Sequence, residues 1–334
     1  MSDLTAVIVG ARPKSRGYNM GDFHARELHN AGVEITGISN NSLDSSALAA
    51  SDLKNEFEIN ARPYSSLEEM LKLAKPDIVV VSTPPETHYK ISMLALNAGC
   101  HVLAEKPLCW DLSKSPKRNF NDAKYLLRIA ERKGKMIAAN HQLAALCDIY
   151  MGIFNDYGED RNPGSNDNFE LRLITSGVPN QENNKLYVAM DLLPHALSLL
   201  IKLFPGGHIS SAVESSSTEG ENTLKFMFGN GFGSVPSKLT IGYNSSAAEL
   251  SFGLNGFIVT KQIERRDAKG VFYSLVYNNK ALASAGDPLR EFDNRFVAAV
   301  ANNDPKMLLV SPGQLVGITH AQYQIMQHLT QQIN

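Results

Sequence analysis

Two stretches of the sequence carry residue types at spacings that could do chemistry. The first is Ala98-Gly-Cys-His-Val-Leu-Ala-Glu105-Lys106-Pro107-Leu108. Its apolar part, His101 to Ala104, reads as a short strand that ends on an acid, a base and a proline. In an open α/β sheet, ligands bind outside the carboxyl ends of the strands. Lys106 therefore stands where an ammonium could meet a substrate oxygen. Pro107 fixes its own φ and biases Lys106 toward extended backbone. The second stretch is Leu186-Tyr-Val-Ala-Met-Asp191-Leu-Leu-Pro194-His195-Ala-Leu-Ser-Leu-Leu200. A helical proline is best tolerated in the first turn, where amides have no intrahelical acceptor. That rule puts Asp191 at or near the N-cap and His195 one turn further on. A spacing of four places both side chains on one face, and histidine titrates near neutral pH, as a general base should. Each stretch alone also has a plainer reading. A Glu-Lys pair can simply end a surface strand, an aspartate before a helix is most often a cap, and a lone histidine on an apolar helix is most often core.

The elements that must position these residues are legible as well. Leu4 to Val9 is a near-continuous apolar run, the pattern of a strand buried on both faces. A loop, Gly10-Ala-Arg12-Pro-Lys14-Ser-Arg16-Gly17-Tyr-Asn-Met-Gly21, leads to a helix starting near Gly21, and Glu34 to Ile38 forms a second strand. Strand, glycine loop and helix N-terminus make a phosphate site, because glycines let the ligand approach backbone N–H groups. The usual GxGxxG spacing is absent, and Gly10, Gly17 and Gly21 spread over a longer loop. The second strand ends on Ser39-Asn40-Asn41 rather than on the acid that would hold an adenine ribose. Ser and Asn can donate to a 2'-phosphate, and Arg12, Lys14 or Arg16 could neutralise it. The reading favours NADP, with NAD as the alternative. Asp44 to Asn55 is helical, and Ser66 caps a helix from Leu67 to Ala74. Ile78 to Val81 is a strand followed by Ser82-Thr83-Pro84-Pro85-Glu-Thr-His88. A helical run to Leu96 then leads into the Glu-Lys-Pro strand, completing one βαβ crossover. Asn121 to Lys133 is a helix, Met136 to Ala139 a strand, and Asn140-His141-Gln142 a turn.

With these residues in view, the chain resembles the glucose-fructose oxidoreductase / inositol dehydrogenase family, whose mark is a Glu-Lys-Pro strand end after a Thr-Pro…His loop. The resemblance implies a doubly wound, parallel Rossmann-type domain over residues 1–139. A substrate-binding and oligomerisation domain of α+β class, with a mostly antiparallel open sheet, would span 140–334. It puts Thr83, Pro84 and His88 in the loop on the nicotinamide side, with Glu105 and Lys106 beside them. It places Gln142 in a substrate-facing turn and an Asp191…His195 pair opposite Lys106. His195 would be the base for a substrate hydroxyl, Lys106 the cation on that oxygen, and Asp191 the group that orients both. The family often has an arginine soon after Gln142, where this chain has Leu143 and Ala144. The glycines that often precede the Asp…His pair are replaced by Leu186-Tyr-Val-Ala, and Leu108 to Asn119, with the single Trp110, is longer than the family's segment. The implied activity is NAD(P)-dependent oxidation of a secondary alcohol of a sugar, polyol or related small molecule, or reduction of its ketone. The rival is a sensor or regulator that keeps the fold and has lost turnover.

In the second half, alternation begins at Phe169, where Phe169, Leu171 and Leu173 alternate with Glu170, Arg172 and Ile174. Further strand-like runs are Ile209 to Ser215, Leu224 to Phe228, Lys238 to Tyr243, Ala248 to Phe252, Phe257 to Gln262 and Val271 to Tyr277, with Asn and Gly turns between. Tyr150 to Gly158 reads as helical, Asp287-Pro-Leu289 opens a helix, and Ser311-Pro312-Gly313 opens the last one. Composition is that of a globular protein: 334 residues, 43% hydrophobic, 20% charged and net charge −2, with no basic run of nucleic-acid type. The three cysteines and nine histidines show no metal-ligand spacing. No signal peptide or membrane-spanning run stands out. The expectation is a cytoplasmic homodimer or homotetramer that takes a small-molecule substrate and binds neither metal, nucleic acid nor membrane.

Overall fold

The structure, a computed structural model, describes residues 4–17, 19–157, 161–176, 185–218, 220–230, 233–244, 248–267 and 270–333. Tyr18, Gly158 and Gly231, read from the sequence as loop, helix end and turn, lie outside the described residues, as does the Arg16 side chain. The chain divides into two units. The first comprises Met1–Lys114, Arg118–Asn140 and Leu289–Pro312, and the second Ser115–Lys117, His141–Pro288 and Gly313–Asn334. A single cut at 139/140 therefore leaves out the return of Leu289–Pro312 to the first unit and the place of Ser115–Lys117 in the second.

The first unit opens with β1 (Thr5–Val9), α1 (Met20–Asn30), β2 (Glu34–Ser39), α2 (Leu43–Phe57), β3 (Arg62–Tyr64) and α3 (Leu67–Ala74). It continues with β4 (Ile78–Val81), α4 (Pro85–Asn97), β5 (His101–Ala104), α5 (Pro116–Arg132) and β6 (Ile137–Ala139). All six strands run parallel in the order β3-β2-β1-β4-β5-β6. Ala6, Val7, Ile8 and the whole of β4 are buried, as strands covered by helices on both faces must be. The strand order reverses between β1 and β4, so the ligand crevice of such a sheet falls at their carboxyl ends. Leu108, Cys109 and Trp110 are buried. The longer segment that follows is closed by a reciprocal pair: Asn119 accepts from the Asp111 amide and donates to its carbonyl, both at 2.9 Å. Its two ends, Leu108 to Trp110 and Asn119, are thus in the core while Leu112, Ser113 and Ser115 between them are exposed, and α5 starts five residues before its expected Asn121.

The second unit contains α6 (Ala145–Asp156), β7 (Phe169–Thr175), α7 (Lys185–Leu203), β8 (His208–Ile209), β9 (Glu214–Thr218), β10 (Glu221–Asn230) and β11 (Gly233–Tyr243). After these come β12 (Glu249–Leu254), β13 (Phe257–Asp267), β14 (Gly270–Tyr277) and β15 (Lys280–Gly286). The sheet order is β15-β14-β13-β12-β7-β11-β10-β8, with β9 also on β10. Every pairing is antiparallel except β7 with β11. β15 has no counterpart among the strand-like runs of the sequence, its small residues giving little strand signal. Phe169, Leu171 and Leu173 face α7, which packs across β7 and β11. Arg172 on the other face lies between Glu221 and Glu249, with bonds of 2.6, 2.7 and 2.9 Å. Tyr150 fastens α6 to a hairpin, its hydroxyl accepting from the Leu254 amide (2.8 Å) and donating to the Phe257 carbonyl (3.1 Å). Helix α8 (Pro288–Asn302) belongs to the first unit except for Pro288, and α9 (Pro312–Ile333) to the second except for Pro312.

Helix α7 corrects the expected N-cap. It begins at Lys185, so Asp191 lies in mid-helix and Pro194 is interior. An interior proline removes the amide that would bond the carbonyl four residues back, here that of Met190. Gln322 on α9 supplies the missing donor, its side-chain amide standing 3.3 Å from the Met190 oxygen. A tertiary partner 132 residues away thus overrides the local rule. By length and composition α7 could cross a membrane, with mean hydropathy 1.5. However, 72% of that window is buried inside the fold, as in a core helix.

Candidate functional site

In the first unit the loops after β1 and β4 meet at the switch point. Gly10 has φ +99°, and a Cβ there would lie 2.3 Å from the Ser82 carbonyl oxygen, so only glycine allows this approach. Gly21 lies in the first turn of α1, where a Cβ would come within 3.1 Å of Ala11, Asn19 and Ser82 atoms. Gly17 is different, with φ +74° and open space around it. The loop is held by two residues that the glycine pattern does not flag. Asn19 caps α1, accepting from the Gly21 amide at 2.9 Å and donating to the Gly10 carbonyl at 2.7 Å. Asp22 is buried and accepts the amides of Asn19 (2.8 Å) and Arg12 (3.2 Å). Asn followed three residues later by Asp is a capping-box spacing, the signal that could have found the pair.

The far side of the loop leans on α2. The Lys14 amide donates to Asp52 at 2.7 Å, and its ammonium pairs with Glu56. Arg12 is exposed. At the end of β2, Ser39 is buried and its carbonyl accepts from the Gly10 amide. Asn40 is tied into the start of α2 through Ser46 and Ser45 at 2.9 and 3.2 Å, while Asn41 is exposed. These residues fit a dinucleotide. A glycine-lined approach faces the N-terminus of an eleven-residue helix, and no carboxylate at 39–41 would repel a 2'-phosphate.

The Thr83-Pro84 loop and the Lys106-Pro107 strand end are joined by His88. Its ring is closed to solvent, with Nδ1 2.9 Å from the Pro107 carbonyl oxygen and Nε2 2.7 Å from that of Thr83. Burial pushes its pKa down. His88 therefore acts on the site from behind, as a strut between the two loops. Thr83 is half-buried, its hydroxyl 2.6 Å from that of Thr87. The Lys106–Pro107 peptide is cis. Lys106 is half-buried, while Glu105 is 8% exposed and enclosed by donors. One of its oxygens takes Asn140 Nδ2 at 2.7 Å and His24 Nε2 at 3.0 Å, and the other takes the Lys106 amide at 3.3 Å. Burial opposes ionisation of Glu105, but His24, Lys106 and Asn140 together hold its pKa below the usual value.

In the second unit Asp191 and His195 lie half-buried, one turn apart on α7. Gln142, also half-buried, stands in a 3-10 turn (Gln142–Ala144) packed against that helix. Tyr243, the last residue of β11, donates its hydroxyl to Asp191 Oδ2. Burial and the Asp191 charge both push the Tyr243 pKa up, so the phenol stays a donor. Tyr243 is not among the site residues expected from the sequence. Its only signal there is its place at the end of a strand-like run.

Residues 5–141 match the family model described as oxidoreductase family, NAD-binding Rossmann fold. D-glucoside 3-dehydrogenase of Escherichia coli is 35% identical over 79 residues, 24% of this chain and 20% of that protein. The chain matches about a fifth of the length of such curated relatives. Solved structures align over almost the whole chain. UDP-N-acetylglucosamine 3-dehydrogenase from Acidithiobacillus ferrooxidans has a TM-score of 0.70 at 19% identity, covering 97% of both chains. Myo-inositol 2-dehydrogenase from Lactobacillus plantarum has a TM-score of 0.67 at 16% identity, covering 98% of both. The fold is that of a two-domain Rossmann oxidoreductase. The match over residues 5–141 supports kinship of the first unit with the glucose-fructose oxidoreductase / inositol dehydrogenase (Gfo/Idh/MocA) family.

Proposed function

We propose that the protein is an NAD(P)-dependent dehydrogenase or reductase acting on a secondary alcohol, or the matching ketone, of a sugar or polyol. The observation that carries this reading is the charged strand end. Lys106 stands at the carboxyl edge of a Rossmann sheet, one strand from the switch point, with its backbone held by a buried, fully hydrogen-bonded Glu105. The names of the relatives, a glucoside 3-dehydrogenase among them, point to a ring hydroxyl as the reacting group. The cofactor supplies the hydride acceptor or donor. Gly10, Gly17, Gly21 and Arg12 would hold its phosphate side, Ser39, Asn40 and Asn41 its ribose, and Thr83 and Pro84 its nicotinamide side. The missing acid at 39–41 and the exposed Arg12 favour NADP.

The roles of the side chains follow from their charges. Lys106, a cation, binds the reacting oxygen and stabilises negative charge developing on it. His195 takes the hydroxyl proton in oxidation and returns it in reduction. Asp191, fixed by the Tyr243 hydroxyl, binds and orients the substrate, and Gln142 contributes a neutral polar contact. We further propose a cytoplasmic enzyme that assembles as a homodimer or homotetramer through the charged outer face of the second sheet. To test the function, NADPH and NADH are titrated by fluorescence, and a panel of sugars and polyols is then screened at the nicotinamide absorbance band. Tight dinucleotide binding with turnover of at least one sugar supports the proposal. Tight binding with no turnover on the whole panel favours the sensor reading instead.

A further inference from the structure

Behind Glu105 lies a row of buried ionisable groups that this chemistry does not use. His24, in the second turn of α1, has no exposed surface. Its Nε2 is 3.0 Å from Glu105 Oε1, and its Nδ1 is 2.9 Å from both carboxylate oxygens of Asp293 on α8. A neutral imidazole carries one N–H and one lone pair. Set between two carboxylates, it would turn that lone pair on an acceptor. The arrangement is satisfied only if the ring carries two protons or one acid keeps its own.

The surroundings decide between these. Glu105 already accepts from Asn140 and from the Lys106 amide, so its lone pairs meet donors only. Asp293 is wholly buried, which pushes its pKa up to about 6, while the His24 charge and hydrogen bond act in the opposite direction and favour its carboxylate. Burial lowers the His24 pKa, but the charges and hydrogen bonds of Asp293 and Glu105 outweigh it and raise the value to about 10. Of the two further buried acids on α1, Asp22 holds the Asn19 and Arg12 amides, and Glu27 lies one turn along from His24. It is matched by Arg26 at 2.6 Å and by Arg290 of α8 at 2.8 Å. Helices α1 and α8 are thus bolted by two ion pairs at the same spacing of three, His24–Asp293 and Glu27–Arg290.

We infer that His24 is a positioning residue, a permanently charged imidazolium clamped between Asp293 and Glu105, which keeps the Glu105 carboxylate ionised and aimed at the Lys106 backbone. The inference rests on the proposed role of Lys106 but can be judged apart from it. Loss of the buried cation would leave Glu105 facing Asp293 with no charge between them. Glu105 would then take up a proton, and the strand end that presents Lys106 would lose its support.

The test reads the ring directly. Wild-type protein with 15N-labelled histidine is followed by long-range 1H–15N NMR from pH 6 to 9, with His24→Gln used to assign the signal. The expected result is one histidine with both ring nitrogens protonated through pH 8, while exposed histidines lose a proton. A single protonated nitrogen on His24 at pH 8 overturns the inference, whatever the enzyme's activity. Asp293→Asn provides a second perturbation should His24→Gln fold poorly, and the His24 ring should then lose its second proton at lower pH. In His24→Gln, kcat should fall by roughly tenfold or more while the NADPH dissociation constant stays within about threefold, and the acid limb of the pH profile should move up by about one unit. An unmoved acid limb with wild-type kcat would also overturn it. A wild-type protein without turnover on any sugar would refute the proposed function and leave the NMR test of His24 intact.

Discussion

The break at Pro194 makes a quantitative prediction, because it leaves one identifiable group needing one identifiable partner. Pro194 offers the Met190 carbonyl no amide, and Met190 and Gln322 are 5% and 2% exposed, so water cannot readily substitute. Gln322→Leu keeps most of the side-chain volume and removes only the donor. A buried carbonyl left unpaired costs about 1–3 kcal/mol, which for a unit of this size is a fall in Tm of roughly 2 to 10 °C. In Pro194→Ala the backbone amide returns and can bond Met190 directly. In that background Gln322→Leu should cost under about 0.5 kcal/mol, giving a coupling of about 0.5–3 kcal/mol in the double-mutant cycle. The assay is urea unfolding of the four proteins, followed at the transition that carries the second unit. Equal cost of Gln322→Leu in both backgrounds would refute the reasoning. The consequence extends to the proposed site residues, since Asp191 follows Met190 and His195 follows Pro194.

Other expectations are simpler to state. Tyr243→Phe keeps the ring and removes the hydrogen bond to Asp191. A bond to a charged group is worth about 1.5–3 kcal/mol, so kcat/KM should fall by roughly tenfold to a hundredfold with little change in Tm. Unchanged kcat/KM would remove Tyr243 from the site. The raised His24 pKa, about 10, is a stability statement. Its contribution is complete below the unfolded value of about 6.5 and is lost as pH rises through 10. Wild-type Tm should therefore decline between about pH 7 and 10, and His24→Gln, less stable at pH 7, should show a flatter decline over that range. A parallel decline in both proteins would contradict this. Arg12→Ala should weaken NADPH binding by about tenfold and leave NADH binding nearly unchanged, as titration by nicotinamide fluorescence would show. Equal losses for the two cofactors would count against Arg12 as the 2'-phosphate contact.

Much of the first unit could be read from local pattern. Continuous apolar strands, a serine cap at Ser66 and the charged end of β5 are each set by a few neighbouring residues, and all are found where the sequence puts them. What could not be read depends on distant partners. His24 looks like an ordinary helical residue until Asp293, 269 residues later, is placed beside it. Pro194 looks like a helix start until Gln322 satisfies the carbonyl it orphans. Tyr243 reaches Asp191 only when β11 pairs with β7 and brings its end to α7. The burial of Leu108, Cys109 and Trp110 likewise goes with a closure eight residues apart in sequence, the Asn119–Asp111 pair. β15 escaped notice because its alanines, serine and glycine carry no alternation.

The proposed function turns on Lys106 as cation and His195 as base for one reacting hydroxyl. The most direct measurement is the pH dependence of kcat/KM for sugar oxidation in wild type, His195→Asn and Lys106→Met, with Tm and dinucleotide affinity as folding controls. The expected result is a rate lowered by about a hundredfold or more in each variant, with folding and NADPH binding preserved, and loss of the basic ionisation from the His195→Asn profile alone. Variants that bind the dinucleotide, oxidise the sugar at wild-type rates and keep the wild-type pH profile would contradict it.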